Sequence, residues 1–131
     1  MLMNLNPSLQ GKPRRSRSDS KHEKKFPVSS DDWMLLKKIC RAAGYGNQQT
    51  RFNTQILIDA LTEYRYRPDR FPELDYPSSS KTTMTVLPTQ FFCDQIESIQ
   101  LDLNILSERR VVHRLIMNMV KRRGEDLGIG T

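Results

Sequence analysis

Pairing each position n with n + 60 aligns two segments of this chain without a gap, Glu23–Tyr64 with Thr83–Gly124. Phe26 falls on Val86, and Leu36 and Ile39 fall on Ile96 and Ile99. Phe52, Ile56 and Ala60 fall on Val112, Ile116 and Val120. The residues that bound helices recur in step with this apolar pattern. Ser29 matches Thr89 and Asn47 matches Ser107, all types whose side chains cap helix starts. Gly44 matches Asn104, the two types that most readily close a helix in the left-handed conformation.

Each copy therefore reads as strand, helix, tight turn, helix. The strands are expected over His22–Val28 and Thr82–Leu87, where KTTMTVLPTQ (residues 81–90) gives the clearest alternation. First helices are expected over Ser30–Ala43 and Thr89–Leu103, second helices over Gln48–Tyr64 and Glu108–Arg123. A unit of roughly 40 residues is too small to hold a core alone, and a lone strand leaves its backbone groups unpaired. The economical solution pairs the two strands antiparallel and packs all four helices together. The expected fold class is mainly α with a two-stranded antiparallel ribbon (α+β), its units at residues 22–64 and 82–124 forming one compact domain. Trp33, Leu36, Ile39 and Cys40, then Phe92, Ile96 and Ile99 at the same helical spacing, and Met84, Met117 and Met119 read as core.

Between the units, residues 65–81 contain Pro68, Pro72 and Pro77, which excludes a continuous helix. This segment reads as a semi-rigid tether, with Tyr66, Phe71 and Tyr76 resting on the core surface. Residues 125–131 read as a flexible tail.

Charge is concentrated at one end. Residues 1–25 hold seven Lys and Arg against two acids, so +5 of the formal +6 sits there and the other 106 residues carry only +1. The stretch GKPRRSRSDSKHEKK has almost no apolar side chains, so residues 1–21 are expected to be a disordered basic arm. Arg14, Arg15 and Arg17 then either contact nucleic-acid phosphates or remain solvated. No apolar run approaches the roughly 18 residues of a membrane span, and MLMNLNPSLQ lacks a signal-peptide core. With only Cys40 and Cys93, the expectation is a cytoplasmic protein without a disulfide framework. His22 and His113 have no metal-ligand spacing. No phosphate-binding loop, nucleophile elbow or catalytic carboxylate pair is present in the sequence, so no cofactor and no enzymatic activity are expected.

Strand, capped helix, turn and helix in this order resemble the ribbon-helix-helix family of DNA-binding proteins, here with both copies in one chain as a pseudo-dimer. The tandem copy, with a basic arm before FPVSSDDW, resembles more narrowly the virulence factors that bind the overdrive element beside a T-DNA border. The family resemblance implies double-stranded DNA as the partner, read by the ribbon in the major groove, with no membrane role. The narrower one implies a bacterial accessory factor in T-DNA transfer, working with a ParA-like ATPase and a relaxase complex. The chain would fold as a monomer, with higher assembly on DNA left open.

Strand alternation points Thr83, Thr85 and Leu87 outward on one strand and Glu23, Lys25 and Pro27 on the other. Lys25, Thr83 and Thr85 are the candidate base readers, since lysine reaches guanine acceptors and threonine offers a hydroxyl and a methyl group. Their divergence implies a non-palindromic site, with Lys25 reading one half and the threonines the other. By the family resemblance, phosphate contacts fall on the starts of the second helices, at Asn47, Gln48, Thr50 and Arg51 and at Ser107, Glu108, Arg109 and Arg110. Lys24 and Lys81 flank the strands as further phosphate contacts. A regulator of the repressor or antitoxin type, and a protein-interaction adaptor that has lost DNA binding, are the competing readings. The low charge of the folded part favours the adaptor.

Overall fold

The structure, a computed structural model, describes residues 20–129. It contains β1 (Lys24–Pro27), α1 (Ser30–Ala42), α2 (Gln49–Tyr66), β2 (Thr83–Val86), α3 (Gln90–Asp102) and α4 (Glu108–Asp126), with a 3-10 turn at Pro68–Arg70. β1 and β2 form a two-stranded antiparallel sheet within the one chain. Lys24 faces Val86, Lys25 faces Thr85, Phe26 faces Met84 and Pro27 faces Thr83. Backbone bonds from His22 to Pro88 and from Val28 to Thr82 carry the same register past both ends. Pairing thus reaches the His22–Val28 and Thr82–Leu87 limits expected from sequence.

α1 and α3 each run 13 residues and begin sixty positions apart. Their ends explain why. Ala43 N–H bonds to Ile39 and Tyr45 N–H reaches back to Cys40, while Leu103 bonds to Ile99 and Ile105 to Gln100. Gly44 (φ 88°) and Asn104 (φ 56°) supply the left-handed residue that each closure requires. α4 runs past Gly124, where the second unit was expected to end, and stops at another left-handed residue, Gly128 (φ 72°). Ile129 then folds back onto the core, so part of the expected flexible tail is packed.

One core serves all four helices. Phe26, Val28, Met84 and Val86 point into it from the ribbon, and Leu36, Ile39, Phe52, Ile56, Ile96, Ile99, Val112 and Ile116 meet them from the helices. The three methionines expected in the core are buried. Trp33 is not: it is 37% exposed, because it sits at the edge of the α1 stripe with Lys37 over its ring.

Residues 67–82 depart most from expectation. They do not form a tether but a strap laid along α4. Phe71 is completely buried and belongs to the core. Arg114, Asn118 and Arg122, spaced at four residues on one face of α4, donate to the carbonyls of Phe71, Pro72 and Arg70. Arg110, one turn earlier on that face, lies over the Tyr76 ring. Ser80 closes the strap by donating to Val28 O at 2.6 Å. Tyr66, grouped with Phe71 and Tyr76 in the sequence, is 75% exposed. Among the described residues no helix is long and apolar enough to cross a membrane.

Candidate nucleic-acid interface

The outer face of the ribbon follows from its register. Opposed residues in an antiparallel pair share a face, so Lys25 with Thr85 and Pro27 with Thr83 lie on the side away from Phe26, Met84 and Val86. Lys25 and Thr83 are exposed and Thr85 is half-buried. Pro27 is buried, contrary to the expectation of an outward group there, so on this face β1 offers Lys25, with Glu23 just before it. Lys25 stands directly across from Thr85, at the centre of the ribbon.

The ribbon is held from beneath by side chains that sequence reading passed over. Asn53, buried on α2, donates to Thr85 O and is itself oriented by Gln49 Nε2, 2.9 Å from its Oδ1. Thr54 Oγ1 accepts from Leu87 N–H at 2.9 Å while donating to Thr50 O. A buried asparagine on an apolar helix face must find partners, which is the signal that would have singled out Asn53.

The two second-helix starts flank this ribbon. Asn47, Gln48, Thr50 and Arg51 line a groove with Lys21 and Leu87–Thr89. Glu108 and Arg109 line another with Glu23, Lys24 and Lys25. Capping differs from expectation at both. The residue preceding α2 is Gln48 rather than Asn47, and it makes no side-chain cap; Ser107 precedes α4, also without a capping bond. α1 is capped by Ser29, which accepts from Asp32 N–H at 3.1 Å, whereas Thr89 before α3, also expected to cap, makes no such bond. The first-turn amides of α2 and α4 are therefore left without a side-chain acceptor at the cap position, where the helix dipole favours an anion.

The basic side chains separate into two groups. Arg114 and Arg122 bind the strap, Arg122 also pairs with Glu63, Arg123 pairs with Asp59, and Lys121 lies 4.0 Å from Asp32. Lys24, on the inner face of β1, bonds Glu108 at 2.9 Å with its side chain only 18% exposed, so its charge is engaged inside the protein. Lys25, Lys81, Arg51, Arg109 and Arg110 remain exposed; Arg51 donates to Gln48 at 3.1 Å. Arg14, Arg15 and Arg17 lie outside the described residues.

Cys40 and Cys93 are separate buried free thiols, pushed up in pKa chiefly by burial. His113 is buried as well, and desolvation lowers its pKa. Its Nε2 has no hydrogen-bond partner, and its ring meets the Tyr76 ring edge-on at 5.3 Å. Among the described residues, no cluster of three His, Cys, Asp or Glu is placed to hold a metal ion. No family model, curated protein or solved structure gives a significant match to this chain.

Proposed function

We propose that this chain is a sequence-specific double-stranded DNA-binding protein, built as a single-chain pseudo-dimer of two ribbon-helix-helix units. The observation that carries the reading is the outer ribbon face, Lys25, Thr83 and Thr85, flanked by two second-helix starts without side-chain caps. Such an arrangement offers base readers in the centre and anion sites on either side. The register supports the pseudo-dimer in particular. Lys25 faces Thr85, its own counterpart sixty positions on, as the central residue of a two-fold ribbon faces its mate.

The low charge of the folded part is less of an objection once the pairs are assigned. Asp32, Asp59, Glu63 and Glu108 are engaged by basic residues of the strap, α4 and β1. The exposed bases nearest the ribbon are opposed mainly by Glu23. By resemblance, the biological role we propose is that of an accessory factor in conjugative-type T-DNA processing, with a ParA-like ATPase and a relaxase complex as partners. The adaptor reading draws on Leu101 and Leu106, 76% and 96% exposed around the α3–α4 turn, which offer apolar contact to a protein.

Selection of sites from a random duplex pool tests the proposal. A non-palindromic sequence should emerge, bound with a steep loss of affinity as salt rises. Replacing Thr83 and Thr85 with Ala should cost about 1–3 kcal/mol per lost base contact on that sequence and little on scrambled DNA. Lys25→Ala should relax the position next to the one read by Thr85. Equal losses on both duplexes would remove these residues as readers, and failure to enrich any sequence would favour the adaptor.

A further inference from the structure

The two second-helix starts are not equivalent, and the difference lies in the strap. On α4 the face carrying Arg110, Arg114, Asn118 and Arg122 is covered by strap residues 70–76. On α2 the corresponding face, with Thr50, Thr54 and Ile58, borders the groove that also contains Lys21 and Phe92. The α2 groove has Phe92 in its lining, so what sets the α4 start apart, among the described residues, is an aromatic residue that carries an arginine.

That residue is Tyr76. It is half-buried, backed by the edge of the buried His113 ring, and tied at its N-terminal side by the bonds to Phe71 O and Pro72 O. The Arg110 guanidinium lies over its face, 4.3 Å from the ring centroid. Stacking of this kind engages the flat face of a guanidinium and leaves its rim of N–H donors free. Arg114 and Arg122 commit their donors to strap carbonyls, whereas Arg110 has no salt-bridge partner among the described residues. A long side chain held in one orientation loses less freedom when it grips an anion.

Building on the DNA-binding reading, we propose that Tyr76 is a positioning residue: it holds Arg110 ready to grip a DNA phosphate at the α4 start, making that side of the interface the tighter one. Thr50, the counterpart of Arg110 on α2, has no such support. The strap is then part of the binding apparatus.

The experiment has a DNA-free arm and a DNA arm. In the free protein, the Arg110 side-chain N–H resonance should be shifted by the Tyr76 ring current. The shift should persist in Tyr76→Phe and vanish in Tyr76→Leu. With a mixed-sequence DNA duplex, Tyr76→Leu should weaken binding about two- to fivefold and reduce the salt slope toward the loss of one phosphate contact, about 1. Tyr76→Phe should bind as the parent does, and Tyr76→Leu should add nothing in an Arg110→Gln background. Thermal unfolding identifies any Tyr76→Leu protein that has simply lost its fold; Tyr76→Phe and Arg110→Gln alone then carry the test, and an Arg110→Gln protein that binds DNA as the parent does would overturn the phosphate grip. No ring-current shift in the parent would overturn the stack. A stack present in a protein whose DNA affinity ignores Tyr76→Leu would overturn the positioning role and leave the DNA reading standing. A parent that binds no duplex would overturn both.

Discussion

Asn53 and His113 stand sixty positions apart, both buried, and only one of them is satisfied. Asn53 is bonded on both sides of its amide, to Gln49 and to the ribbon carbonyl of Thr85. His113 leaves Nε2 without a partner, a condition that costs free energy in a closed interior. Neutral imidazole tolerates this better than imidazolium, whose second N–H would also go unanswered. Burial dominates the lowering of its pKa from 6.5; Lys121 and Arg110 on α4 act in the same direction, and Asp32 from α1 opposes them. Tyr76 faces it from the strap. Because the folded value is depressed, the unfolded chain takes up the proton first as pH falls. The contribution to stability is full above about 6.5 and is lost progressively as pH drops toward and through the folded value. Thermal midpoint should therefore fall between about pH 7 and about pH 5, above the range where ordinary carboxylates titrate. His113→Phe keeps a ring against Tyr76 and removes the titrating group, so it should flatten that fall. An unchanged pH profile in His113→Phe would place the sensitivity elsewhere.

Among the elements, the strap separates what periodicity reveals from what it hides. A prediction distinguishes its docked state from a free tether. Phe71→Ala should cost about 3–5 kcal/mol in denaturant unfolding, the usual range for an aromatic removed from a core, while Tyr66→Ala on the exposed side should stay within about 0.5 kcal/mol. A Phe71→Ala protein as stable as its parent would mean the segment is a tether after all. The helices were legible because their information is local. Apolar spacing gave α1 and α3 to within a residue or two at each end, and the Gly44–Asn104 match gave the left-handed closures. The ribbon partner was legible because a lone strand had only one candidate to pair with. The strap was not, since prolines announce the end of a helix but not where the chain goes next. Its backbone carbonyls are met by two arginines and an asparagine forty or more residues away. For the same reason the sequence does not show that Arg114, Arg122 and Arg123 are committed to the strap, Glu63 and Asp59. Caps were overread from residue type. Asn47 and Ser107 have suitable side chains, yet neither closes its helix start.

For the whole molecule, the question is whether the ribbon needs a second chain. β1 and β2 pair across some sixty intervening residues, and strand exchange between two copies is the competing arrangement, since exchange preserves every contact within a unit. The strap weighs against exchange. It leaves α2 at Arg67, is fastened at Arg70, Phe71, Pro72 and Tyr76 to α4, and is closed by Ser80 on Val28 just before β2 begins. That path delivers β2 to the β1 of its own chain, and sending it elsewhere would require lifting Phe71 from the core. The closure entropy of a segment this long grows only slowly with length, so the intramolecular route carries little penalty. The folded state should then be a monomer whose thermal midpoint is unchanged over about a hundredfold dilution, unlike an obligate dimer, whose stability follows protomer concentration. Assembly of several copies on one DNA molecule remains compatible with this, because it would use surfaces outside the ribbon pairing. A midpoint that declines steadily with dilution in the absence of DNA would show that the strands pair between chains, and the single-chain reading of the ribbon would fall with it.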